Sequence, residues 1–337
     1  MPDVLSPLID AASLQALLLA AGTDVLLLDC RFNLANAAAG EAAWRAGHIP
    51  GAVHAHLDRD LSGPQAGRGT PAFNGRHPLP SAAALARTLG TWGLRPETRV
   101  VAYDDAGGMF AARAWWLLRW VGHAQVQVLD GGWPAWLAQG GAVGGAVGGA
   151  VSALAPQRAP TTVALQPNPS WLVTADEVLA AIGPPDMAPD TASGRAPGTA
   201  PDTAPDTAPD KKAAATSAPG PALQLLDARA PDRFRGENET LDPVGGHIPT
   251  ARNRFFQLNL VDGRFKPAAV LREEFTALMQ GQREQHLVHQ CGSGVTACHN
   301  LLAMAHAGLP PTRLYAGSWS EWCADPTRPV ARGDAPD

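Results

Sequence analysis

Short apolar runs recur along the chain, each four or five residues long: 25–29, 99–103 and 126–129 in the first half, 223–227 and 287–291 in the second. Runs of that length without polar alternation read as strands buried on both faces. Between them lie stretches with helical spacing at residues 14–21, 81–89 and 174–182. A tryptophan-rich helix carries Trp115, Trp116, Leu117 and Trp120, and a short helix runs through Trp136. A last helical pattern places Val295, Cys298, Leu301, Leu302 and Ala305 on one face. Ser13 is the expected N-cap of the first helix. Buried strands alternating with helices predict an α/β fold, with parallel sheets flanked by helices on both faces.

The order of elements occurs twice. Leu225-Leu226-Asp227-Ala228-Arg229 matches Leu27-Leu28-Asp29-Cys30-Arg31, and Gly246-His247-Ile248-Pro249 matches Gly47-His48-Ile49-Pro50. Gly317-Ser318-Trp319 likewise matches Gly131-Gly132-Trp133. Paired in this way, the chain divides into a unit at 1–139, a glycine- and alanine-rich linker at 140–169 and a second unit at 170–330. Asp105 is expected where the second unit has Cys291. The Gly-Gly-Ala-Val tandem at 140–151 reads as flexible. The Pro/Ala/Asp/Thr-rich segment 184–220 reads as a disordered insertion in a surface loop of the second unit. His48 and His247, in matching turns, are expected to be structural. Asp29 and Asp227 are expected to be turn and cap residues, and the tryptophans at 115, 116, 133, 136, 319 and 322 core residues.

The stretch Leu287-Val288-His289-Gln290-Cys291-Gly292-Ser293-Gly294-Val295-Thr296 carries the chemistry. A strand, a glycine-bracketed loop and a helix N-terminus turn backbone N–H groups towards a common focus that favours an anion. A thiol at such a focus loses its proton more readily than a free one, and the thiolate is the nucleophile.

Composition narrows the function classes. The formal net charge is -5, which gives no footprint for nucleic acid. No apolar run approaches membrane-spanning length, and no basic region precedes residues 14–19, so neither a membrane span nor a signal peptide is expected. The four cysteines, Cys30, Cys291, Cys298 and Cys323, form no metal spacing. Neither a metal nor a cofactor is expected, and scattered cysteines fit a reducing cytoplasm.

With the duplication in view, the chain resembles the two-domain rhodanese family of sulfurtransferases. The resemblance rests on Gly-His-Ile-Pro, Asp-Gly-Gly-Trp, Arg233-Phe234-Arg235-Gly236 and Cys-Gly-Ser-Gly-Val-Thr. The last motif resembles the loop of 3-mercaptopyruvate enzymes, whereas thiosulfate enzymes usually carry Cys-Arg-Lys-Gly-Val-Thr. The resemblance implies two domains with five-stranded parallel sheets and an active site on the second domain, facing the first. It implies a Cys291 persulfide, a Ser293–His77–Asp58 relay and a substrate carboxylate held by Arg233. Gly292, Gly294, Val295 and Thr296 would line the substrate. The donor would be 3-mercaptopyruvate, with thiosulfate as the alternative. The acceptor would be cyanide or a thiol, thioredoxin-type thiols included. Some family members carry a second arginine before the second Gly-His-Ile-Pro. Glu239-Thr240-Leu241-Asp242-Pro243 stands there instead, and Arg252 and Arg254 are the candidates to compensate. A Cys-dependent phosphatase would need an arginine closing the loop, and Val295-Thr296-Ala297 has none. A binding module without catalysis is the reading for the first unit, which lacks the cysteine.

Overall fold

The computed structural model describes residues 5–145, 158–182, 223–279, 281 and 283–334. The segment 184–220 and the end of the Gly-Gly-Ala-Val tandem therefore lie outside the described residues.

The first unit runs β1 (Leu8–Ile9), α1 (Ala11–Leu19), β2 (Val25–Asp29), α2 (Ala38–Ala46), β3 (Val53–His54), α3 (Ala82–Thr91), β4 (Arg99–Tyr103), α4 (Ala111–Trp120), β5 (Val126–Leu129) and α5 (Gly132–Ala138). Its five strands are ordered β1-β5-β4-β2-β3, with every pairing parallel. The second unit runs α6 (Ala175–Ile182), β6 (Gln224–Asp227), α7 (Pro231–Arg235), β7 (Arg252–Asn253), β8 (Leu260–Val261), β9 (Arg264–Phe265), α8 (Ala268–Met279), β10 (Leu287–Gln290), α9 (Thr296–His306), β11 (Arg313–Leu314) and α10 (Ser318–Trp322). Its sheet has four strands, β11-β10-β6-β7, also parallel. In place of a fifth strand, Leu172 makes one parallel bridge to Leu314. The two sheets thus repeat one strand order.

Several local expectations shift. Asp10, not Ser13, caps α1, its carboxylate accepting from the Ser13 amide at 2.7 Å. Asp29 and Asp227 are fully buried ion-pair partners as well as turn acceptors. Arg31 Nη2 lies 2.6 Å from Asp29, and Arg229 Nη2 lies 2.7 Å from Asp227. Each of these arginines also donates to the glycine carbonyl of a Gly-His-Ile-Pro turn, Gly47 or Gly246, and packs over Trp133 or Trp319. The histidines of the matching turns, His48 and His247, bond the carbonyls of Trp44 and Phe234. All of the tryptophans named above are buried except Trp133, which is half-buried.

Residues 140–145 and 158–169 lie along the first unit. Gly144 exchanges two backbone hydrogen bonds with His48, and the amides of Thr161, Gln166 and Asn168 donate to Gly90, Val121 and Trp120. The core of the first unit continues across α4 and α9 into the second, through Trp115, Leu118, Leu301 and Met304. Two further bonds fasten the seam: His299 Nε2 lies 3.0 Å from the Gly107 carbonyl, and the Phe265 amide donates to Asp130. The hairpin β8–β9 and helix α9 therefore fix the first unit over the end of the second sheet where β10 stops.

Candidate active site

β10 ends at Gln290, and the chain turns at once into Cys291-Gly292-Ser293-Gly294-Val295 before α9 begins. Gly294 takes a left-handed φ of +75°, and a Cβ there would meet the Ala316 carbonyl at 2.4 Å, so the turn requires glycine. The loop is held from behind by the chain after β11. Ser318 Oγ accepts from the Cys291 amide at 3.1 Å, and the amides of Trp319 and Ser320 donate to the carbonyls of Cys291 and Gly292.

The first unit contains the same loop, and its geometry corrects the sequence alignment. Trp133 donates to the Asp104 carbonyl as Trp319 does to that of Cys291, so Asp104, not Asp105, is the counterpart of Cys291. The step from β4 to α4 is two residues longer than that from β10 to α9, which displaced the alignment by one. The fully buried Asp104 carboxylate accepts four amides, those of Ala106, Gly108, Phe110 and Ala111, at 2.7–2.9 Å. Four N–H groups thus converge at the end of the strand, an arrangement that favours an anion there, although burial leaves the Asp104 carboxyl above its ordinary value.

The remaining site groups come from both units. Gly75 has a φ of +102°, and a Cβ there would touch the Gly317 carbonyl at 2.7 Å. That close approach brings the following residues against the second unit. The Arg76 amide bonds Ser320 Oγ at 3.1 Å. His77 Nδ1 lies 2.7 Å from Ser293 Oγ, and its Nε2 lies 3.3 Å from Asp58 Oδ1. The expected trio of Ser293, His77 and Asp58 is therefore brought together. Burial, reinforced by Arg76 and Arg113, pushes His77 down to about 3. Asp58 is half exposed, so water screens its opposing charge. A neutral His77 whose Nε2–H faces Asp58 accepts a hydrogen bond from the Ser293 hydroxyl at Nδ1.

A cavity of about 220 Å³ opens on the loop. Cys291, Gly292, Ser293, Val295 and Thr296 line it with Arg233 and Arg76. Gly294 does not; its carbonyl faces away, to Arg113. Arg233 is held bidentate by Glu239, at 2.7 and 2.9 Å from Nη2. Burial alone would raise the Glu239 carboxyl, but Arg233 and the amides of Leu241 and Asp242 bring it below its ordinary value. Asp242 is fully buried and meets Arg68, Arg76 and Arg233 at 3.1, 3.2 and 3.8 Å. Arg252 and Arg254 do not compensate for the missing arginine. Arg252 bonds the Leu278 carbonyl, and Arg254 pairs with Glu274. The cavity's further cations are Arg229, held by Asp227, and Arg76, whose Nη2 would stand 2.8 Å from a Cβ on residue 292. Around the cavity four guanidiniums, Arg68, Arg76, Arg229 and Arg233, face three carboxylates, Asp227, Glu239 and Asp242.

Arg113, like Arg76, is a residue that sequence reasoning missed. It lies on α4 with no exposed surface, and its guanidinium donates to Gly294, His77 and, at longer range, Pro78 and Leu61. Burial pulls it down. Among the described residues no carboxylate pairs with it. A permanently charged side chain thus sits behind the loop, tying it to the His77 segment. Its only sequence signal is an arginine amid the alanines, tryptophans and leucines of α4, well before the helix's other arginine, Arg119.

Neutral buried histidines set a pH dependence. His289 is pushed down to about 3 and His299 to about 4, both by burial, alongside His77 at about 3. In the unfolded chain each takes a proton near pH 6.5, so stability is full above that and is lost as pH falls towards the folded values. At pH 5 each is expected to cost up to about 2 kcal/mol relative to pH 7. Imidazole ¹⁵N shifts at pH 5 should read neutral rings for all three. Titration of His77 with a midpoint near 6.5 would contradict this burial argument.

Comparison with known proteins agrees with this architecture. The model of the rhodanese-like domain matches twice, over residues 10–139 and 210–325. A Pseudomonas aeruginosa protein named "Probable 3-mercaptopyruvate sulfurtransferase" is 45% identical over 313 residues, covering 92% of this chain and 93% of its own. The rat thiosulfate sulfurtransferase is 29% identical over 325 residues, covering 93% and 90%. The solved 3-mercaptopyruvate sulfurtransferase from Leishmania major superposes with a TM-score of 0.69 at 27% identity, over 93% of this chain and 73% of its own. Two copies of one fold, matched along nearly the whole chain, make this protein a two-domain member of the rhodanese family.

Proposed function

We infer that the protein is a 3-mercaptopyruvate sulfurtransferase that carries sulfur on Cys291. The observation that carries the reading is the Ser293–His77 contact of 2.7 Å beside the cysteine, closed by Asp58. Cys291 thiolate attacks the thiol sulfur of the donor, a sulfur–sulfur bond forms, and the carbon–sulfur bond breaks with its electron pair going to the pyruvate enolate. The donor's thiol proton leaves sulfur, and one proton is returned to carbon to give pyruvate. Ser293 and neutral His77 are the groups in reach to carry it. The persulfide then passes its outer sulfur to cyanide or to a thiol, small or thioredoxin-type.

Charge supports the choice of donor. The side chains that line the cavity include the cations Arg76, Arg229 and Arg233 and, among the described residues, no carboxylate. Mercaptopyruvate brings one carboxylate, suited to Arg233 and Arg76 once they exchange Glu239 and Asp242 for it. Thiosulfate brings two charges and no proton to manage. It remains the second reading, because Arg76 beside Gly292 supplies a cation where the loop has none. The first unit, 1–139, would act as the scaffold that supplies His77, Asp58 and Arg76, and the unit 170–330 as the one that holds the nucleophile. Among the described residues no helix is long and apolar enough to cross a membrane, in keeping with small diffusible donors and acceptors; a cytoplasmic setting is part of the proposal.

Initial rates with cyanide as acceptor test the donor. With mercaptopyruvate, kcat/KM should exceed that with thiosulfate by about tenfold or more, the size of one unmatched charge. A preference for thiosulfate would overturn the choice of donor and leave the family standing.

A further inference from the structure

Away from Cys291, at the C-terminal ends of α4 and α9, a second cavity of about 280 Å³ lies between the two units. Trp115, Trp116 and Arg119 of α4 form one wall, and Leu301 and Ala305 of α9 the facing one. Residues 308–312 and Trp171 close the ends. The walls are apolar except for unanswered donors. Arg119 is half-buried, and among the described residues no carboxylate pairs with it; burial pulls it down. Trp115 is 5% exposed, and its indole Nε1 is buried without a hydrogen-bond partner. Buried donors are ordinarily satisfied, so the orphaned Trp115 indole N–H calls for an acceptor from outside, and the Arg119 guanidinium one helical turn on adds a cation beside it.

We propose that this interdomain cavity is a second ligand site, taking a small carboxylate with an aromatic or branched apolar body. The guanidinium supplies a planar fork for the carboxylate, and the tryptophans and α9 supply the surface for the apolar body. The volume admits a single ring with a short acid arm, at the low end of small-molecule sites. No group of the active site takes part, so the proposal stands apart from the reading of Cys291.

Calorimetric titration of the full chain with phenylacetate tests it, with phenylacetamide as the uncharged control. Saturable binding is expected, weakened about tenfold or more by loss of the ligand charge or by Arg119→Met, and kept within about fivefold in Arg119→Lys. Ala305→Trp, which fills the cavity from α9, should abolish it. Absence of saturable binding, or binding unchanged in both Arg119→Met and Ala305→Trp, would overturn the proposal.

Discussion

Cys291→Ser is expected to lower turnover with 3-mercaptopyruvate by about 10⁴-fold or more and to abolish sulfur uptake. The argument is partly one of exclusion. All four cysteines are free thiols. Burial pushes Cys298 up to about 12 and Cys323 up to about 11, and Cys30 well above the ordinary thiol range. Each of these three stays protonated at neutral pH, and none lines the cavity on the loop. Cys291 does, at the position where its counterpart Asp104 gathers four amides on its carboxyl oxygens. Intact mass after incubation with donor alone should show one added sulfur atom on the unaltered chain. The same gain should appear in a variant with Cys30, Cys298 and Cys323 all changed to alanine, and none in Cys291→Ser. Sulfur retained by Cys291→Ser would place the carrier elsewhere and sink the mechanism.

How much of this was legible in the sequence depended on distance along the chain. The nucleophile loop is local: strand, cysteine, two glycines and helix follow one another within a dozen residues, and the motif announces them. The duplication was legible for the same reason, as matched short motifs in matched order. Helix α2 was not foreseen, because its residues, Ala38–Ala46, are mostly alanine with no apolar stripe, and only Gly40 is buried. Asp104 was misassigned to its neighbour because two adjacent aspartates begin a loop of altered length. Arg76 and Arg113 were invisible as site residues, since their partners Asp242 and Gly294 lie 166 and 181 positions away on the other unit. Arg233 was anticipated, but not that Glu239, the residue standing where a second arginine was sought, would hold it. Contacts made by docking two units carry no local pattern, so only a family resemblance brought His77 and Asp58 into view.

The second large effect is expected at the relay. Ser293→Ala and His77→Ala should each lower kcat/KM for 3-mercaptopyruvate by about 10²–10³-fold, and the double variant little further. Groups that move one proton in series fail together, which is why the losses should not multiply. With thiosulfate as donor no proton has to travel from sulfur to carbon, so the same variants should stay within about tenfold of the parent. The contrast between donors separates proton transfer from mere support of the loop, because a loop displaced by the loss of the 2.7 Å contact would harm both donors alike. Asp58 is half exposed and 3.3 Å from His77, so Asp58→Asn should cost about tenfold, less than either partner. Because burial holds His77 at about 3, the acid limb of the rate profile should not fall at pH 6.5 in the parent chain. Equal losses with the two donors in Ser293→Ala and His77→Ala would reduce the trio to a structural fastening between the units.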